Sequence, residues 1–177
     1  MAKQIDEFTI YLTASNVQDA DPDNWVVDRV GTDHVVGDSV ATGATHPKTG
    51  DSAAETLDAA QKGTKDVAGK LLKLIQDCAA DCETAEGLPS GTKEIQALTS
   101  FYRVVCTDAD ADLWPVTFTG CDHLVGDSAV AGARYPKTGE CASATLTSGQ
   151  KGAKGVAGDF INYIQDTKTA LEAVEGI

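Results

Sequence analysis

With 177 residues, 42% of them hydrophobic and 23% charged, the chain has ordinary globular composition and enough apolar content for one domain or two small ones, which argues against a disordered chain. A formal charge of −13 sets it against phosphate backbones and anionic lipid, so neither a nucleic-acid nor a membrane partner is expected. No stretch approaches the roughly 18 apolar residues of a membrane span, and "MAKQIDEFTIYL" has no basic segment leading into an apolar one, so a soluble protein, cytoplasmic or within a particle, without a classical secretory signal is expected.

In chain order, "FTIYLTASNV" is β-like and runs into an acidic loop, "DADPDNW", whose Pro22 and short polar residues read as loop and whose Trp25 opens the next strand as a core anchor. After that strand comes "GTDHVVGDSVATGATHPKTG", where Pro-Lys-Thr-Gly reads as a turn. The following "DSAAETLDAAQKG" fits a strand or a helix start. Val67, Leu71, Leu74, Ile75, Cys78 and Cys82 then form an amphipathic helical stripe, and residues 83–92, with Gly87, Pro89 and Gly91, read as a connector.

The second half repeats the first. "SFYRVVC" is again β-like, "DADADLW" is the acidic loop with Trp114, and "GCDHLVGDSAVAGARYPKTG" and "ECASATLTSGQKG" follow in the same order. A second stripe runs through Val156, Phe160, Tyr163, Ile164, Leu171 and Val174. Displacement by 89 residues places Asp19–Asp77 on Asp108–Asp166 without a gap and with 32 of 59 positions identical, which is the mark of a tandem duplication. The fold class expected is α+β: an antiparallel sheet plus a C-terminal helix, written as repeat 1 over residues 1–88 and repeat 2 over 89–177. Units this small are marginal alone, so the two are expected to pack with pseudo-twofold symmetry around one core. Glycines at 149, 152, 155 and 158 would permit close backbone approach there, but "SGQKGAKGVAG" has no phosphate-loop spacing.

Three motifs carry possible chemistry. Asp19, Asp21 and Asp23, with Asp108, Asp110 and Asp112, put carboxylates at alternate loop positions that a curled backbone can converge on a hard cation such as calcium. They resemble only the start of an EF-hand loop, since Asn24 and Val30, or Leu113 and Thr119, stand where its glycine and glutamate belong. The pairs Asp33-His34 and Asp122-His123 come next, with Asp38 and Asp127 nearby; neighbours on a strand point to opposite faces, which favours structural hydrogen bonding over a shared ligand. Five cysteines without a secretory signal are expected as free thiols, and Cys78 with Cys82 at i, i+4 supplies only two ligands, too few for zinc.

"VVGDSVATG", around Ser39, and "LVGDSAVAG", around Ser128, resemble the first block of the SGNH (GDSL-type) hydrolases, in which the serine attacks an ester. That resemblance implies a histidine base positioned by an aspartate near the C-terminus. The histidines here are His34, His46 and His123, and no Asp-x-x-His motif exists. No catalytic residue is therefore assigned. The function expected is a non-enzymatic structural or interaction protein, a homo-oligomer or subunit of a larger assembly such as a virus particle, with protein partners and cation-reinforced aspartate loops; a serine hydrolase using Ser39 is the alternative.

Overall fold

A computed structural model of the chain describes residues 3–38, 44–49, 55–88, 93–127, 133–138 and 143–177. The elements run β1 (Lys3–Ser15), β2 (Val26–Asp38), β3 (Ala44–Thr49), β4 (Glu55–Thr56), α1 (Ala59–Lys62) and α2 (Leu71–Glu86), then β5 (Lys93–Val105), β6 (Val116–Asp127), β7 (Ala133–Thr138), β8 (Ala144–Thr145), α3 (Ser148–Lys151) and α4 (Phe160–Glu175). This is an α+β architecture. Six strands form one antiparallel sheet in the order β3-β2-β1-β5-β6-β7, and β4 and β8 add short pairings to β2 and β6.

The period-two pattern decides which face of the sheet is dry. In β1, Phe8, Ile10, Leu12 and Ala14 are buried, whereas Thr9, Tyr11, Thr13 and Ser15 between them are only half-buried. The buried rows meet the apolar stripes of α2 (Leu71, Leu72, Leu74, Ile75) and α4 (Phe160, Ile161, Tyr163, Ile164). Helix α2 packs on β5 and α4 on β1, so each helix covers the central strand of the other half of the chain. Tyr102 on β5 anchors this layer, with its ring edge-on to Phe118 and to Phe160 at centroid distances of 5.6 and 4.8 Å.

The segments entering the two helices cross closely. Lys70 and Asp159 form an antiparallel bridge, Leu71 N–H donates to the Gly158 carbonyl (3.1 Å) and Phe160 N–H to that of Gly69 (2.8 Å). Gly69 has φ +85°, and a Cβ there would lie 2.7 Å from Gly152 Cα, so the crossing requires glycine on both counts. Of the glycines spaced every three residues, Gly152 and Gly158 take part in this approach, but a Cβ on Gly155 would meet nothing within 4 Å.

Several expectations need correction. Pro-Lys-Thr is not a turn: Pro47-Lys48-Thr49 and Pro136-Lys137-Thr138 lie in β3 and β7, paired with β2 and β6. These strands end the described sheet, where proline's missing N–H is tolerated. Residues 51–63 hold both alternatives in their described part, β4 followed by the single helical turn α1, which Asp58 and Gln61 close with a capping box. The long helices begin later than the stripes suggested, at Leu71 and Phe160. Val67, Val156 and Val174 are 47%, 44% and 54% exposed. Helix α2 also continues through Glu86, so the connector begins at Gly87, whose φ of 60° ends the helix in the left-handed region.

Candidate functional site

The aspartate loops are built by short-range capping. Asp19 accepts from the Asp21 amide (2.8 Å) and Asp21 from that of Asp23 (3.1 Å); Asp108 and Asp110 accept from the amides of Asp110 and Asp112 at 2.8 and 3.1 Å. Each loop is latched by lysine. Lys65 Nζ lies 2.8 Å from Asp21 Oδ1 and Lys154 Nζ 2.6 Å from Asp110 Oδ1, and these hydrogen bonds hold both carboxyls below the usual range. The indoles of Trp25 and Trp114 donate to the carbonyls of Asp19 and Asp108 at 2.9 and 2.7 Å, while Lys62 and Lys151 donate to the tryptophan carbonyls at 2.8 Å. The carboxylates of Asp19, Asp21, Asp108 and Asp110 thus accept from loop amides or adjoining lysines, and that of Asp112 accepts from the Lys154 amide.

The Asp-His pairs divide between the two faces. Asp33 accepts from the Tyr11 hydroxyl on the half-buried face, and burial together with this bond pushes the Tyr11 phenol up to about 12. His34 is buried on the helix face with Nε2 3.3 Å from Glu175 Oε2, and His123 Nε2 lies 3.5 Å from Glu86 Oε2. Each histidine meets the last turn of the helix from the other half of the chain. Asp122 also sits half-buried on β6; for Asp38 and Asp127 only the backbone, at the ends of β2 and β6, is described. Ser39 and Ser128 lie outside the described residues.

One grouping was hidden from the sequence. Cys78 and Cys82 of α2 are joined by Cys121 of β6; all three are buried, and their sulfurs lie within 4.8 Å of one another. No linear motif could show this, because the third thiol comes from a strand 39 residues beyond Cys82.

The sheet face opposite the helices is covered by no described helix or strand. Tyr11 and Phe101 pair directly at its centre, edge to face with centroids 5.6 Å apart. Thr13 and Thr99 share a hydroxyl hydrogen bond of 3.0 Å, and Arg103 closes a two-point pair with Glu7 at 2.6 and 2.8 Å. For a chain of net charge −13 this centre is sparingly charged. Comparison with known protein families, curated proteins and solved structures found no match to the chain.

Proposed function

We propose that this protein is a non-catalytic structural unit, a tandem duplication folded about a pseudo-twofold axis, that associates with further copies of itself through the open face of its sheet. Repetition in the geometry supports the duplication. The β1–β2 ladder is bulged between Ile5/Glu7 and Tyr11/Leu12, and the β5–β6 ladder between Ile95/Ala97 and Phe101/Tyr102. A pseudo-axis passing between Tyr11 and Phe101, and again between Lys70 and Asp159, brings matching positions of the two repeats onto each other.

The observation that carries the functional reading is the sheet face centred on the half-buried Tyr11 and Phe101, which no described helix or strand covers. Over the nine residue pairs that join β1 to β5, about 30 Å, the four long strands at about 4.8 Å spacing present roughly 600 Å², at the lower end of what specific interfaces bury per partner. A face whose own axis runs through its centre suits a second copy, because matching rows can oppose one another after a twofold rotation. Against catalysis stands the placement of His34 and His123, both buried on the helix face beside helix glutamates and away from that face.

Photochemical tyrosine cross-linking tests the reading. Tyr11 near the axis of a dimer should couple to the Tyr11 of a second copy, giving covalent dimers that Tyr11→Phe abolishes. Equal cross-linking in that variant would refute association through this face.

A further inference from the structure

We propose that Cys78, Cys82 and Cys121 form a buried site for one thiophilic metal ion of the zinc class, bound by three thiolates with a fourth position open toward solvent. Tetrahedral zinc with Zn–S bonds of about 2.3 Å sets its sulfurs roughly 3.8 Å apart. The three sulfurs here lie within 4.8 Å of one another, and those of Cys82 and Cys121 are 3.2 Å apart. Rotations about the Cα–Cβ bonds worth less than about 1 Å would therefore seat the ion. Cys78 and Cys82 are one turn apart on the buried face of α2, so the helix fixes two ligands and β6 brings the third from across the core.

The approach to the site would run past Cys78. A cleft of about 90 Å³ is lined by Cys78 together with Asp77, Asp81 and Gln150, so two carboxylates stand at the approach and would draw in a cation. Water entering by that route supplies the fourth ligand. A divalent ion leaves the three-thiolate cluster at net −1 and a monovalent ion at −2, so burial favours the divalent ion. Three free thiols that become thiolate ligands form three metal–sulfur bonds and release their three S–H protons.

The corresponding positions of the other repeat argue for a single site. There Thr167, Leu171 and Thr32, all buried, stand in place of Cys78, Cys82 and Cys121, and Thr167 instead accepts a 3.5 Å hydrogen bond from Arg29. Cys106 lies apart, its thiol donating to the Ile5 carbonyl at 3.2 Å.

The test uses the full chain, reduced with a phosphine and titrated with Zn²⁺ against a chromophoric chelator, and with Cd²⁺ to read the sulfur-to-metal charge-transfer band. One equivalent of metal, close to three protons released per ion, and a melting temperature higher by about 5–10 °C at 100 times the dissociation constant are expected. Cys121→Ser should weaken binding at least about 100-fold, while Cys106→Ser leaves it unchanged. If Cys121→Ser does not fold, the charge-transfer intensity of the wild type still counts the thiolates. Two equivalents, a band equal in Cys121→Ser, or no binding by the reduced protein would overturn the assignment, as would isolation of the reduced-buffer protein with Cys82 and Cys121 joined in a disulfide.

Discussion

Lys70 and Asp159, 89 residues apart in the chain, are bonded to each other: their backbones form an antiparallel bridge and Lys70 Nζ lies 2.9 Å from Asp159 Oδ1, with the side chains 16% and 10% exposed. Two copies of either residue would repel here, whereas lysine against aspartate joins the helix entrances. Lys70→Ala leaves the Asp159 carboxylate buried without its cation and is expected to destabilise the fold by about 2–4 kcal/mol. The exchanged pair Lys70→Asp/Asp159→Lys should recover more than half of that loss in denaturant unfolding. A double-mutant cycle showing no coupling would contradict the role of the pair.

The glycine crossing beside this pair separates conformation from contact. Gly69→Ala must put a Cβ against backbone in a left-handed conformation and is expected to cost about 3 kcal/mol or more, whereas Gly155→Ala, at φ +81° with no neighbour within 4 Å, should cost about 1 kcal/mol. Equal losses, read from the same unfolding curves, would show that the two entrance segments do not touch.

Phenol titration probes both faces of the sheet. Burial, first, and the Asp33 carboxylate hold Tyr11 up at about 12, and burial alone dominates at Tyr163, also about 12. Because these values exceed the unfolded one near 10, the stabilisation is complete below about pH 10 and is lost as pH rises toward 12. Ultraviolet titration should therefore show the phenolates of Tyr11 and Tyr163 forming only near pH 12, and Tyr11→Phe should lower the absorbance gained there by one phenolate.

The aspartate loops carry an acid-side prediction. Lys65 and Lys154, ahead of the loop amides, lower the carboxyls of Asp21 and Asp110, so their contribution is present above the unfolded value near 4 and is lost as pH falls below it. Both pairs are exposed, so Asp21→Asn/Asp110→Asn should flatten the acid limb of the melting curve only modestly. With the carboxylates already latched, the wild-type midpoint is expected to be the same in EDTA as in millimolar calcium at fixed ionic strength. A rise of several degrees in calcium, absent from the double variant, would assign the ion to these loops.

How far the sequence could be read depends on the range of each signal. The strands around Phe8 and Tyr102 and the stripes from Leu71 and Phe160 were legible because burial imposes periods of two and 3.6 on adjacent residues. Pro47 and Pro136 misled because their turn chemistry says nothing about a strand that lacks an outer partner. The opposite-face placement of Asp33 and His34 followed from strand geometry, but Glu175 as the partner of His34 did not, since 141 residues separate them. Cys121 beside Cys82 was hidden for the same reason: only the packing of α2 onto the other half of the sheet brings them together.

Association through the open face is the claim most worth testing, and sedimentation equilibrium of the wild type beside Tyr11→Lys/Phe101→Lys tests it directly. Weak, concentration-dependent association in the micromolar range is expected for the wild type, strengthening with added salt because copies of charge −13 repel one another. The double variant should remain monomeric at every concentration with an unchanged circular dichroism spectrum. A wild type that stays monomeric across a roughly hundredfold concentration range at high salt, or a folded double variant that associates as strongly as the wild type, would contradict it.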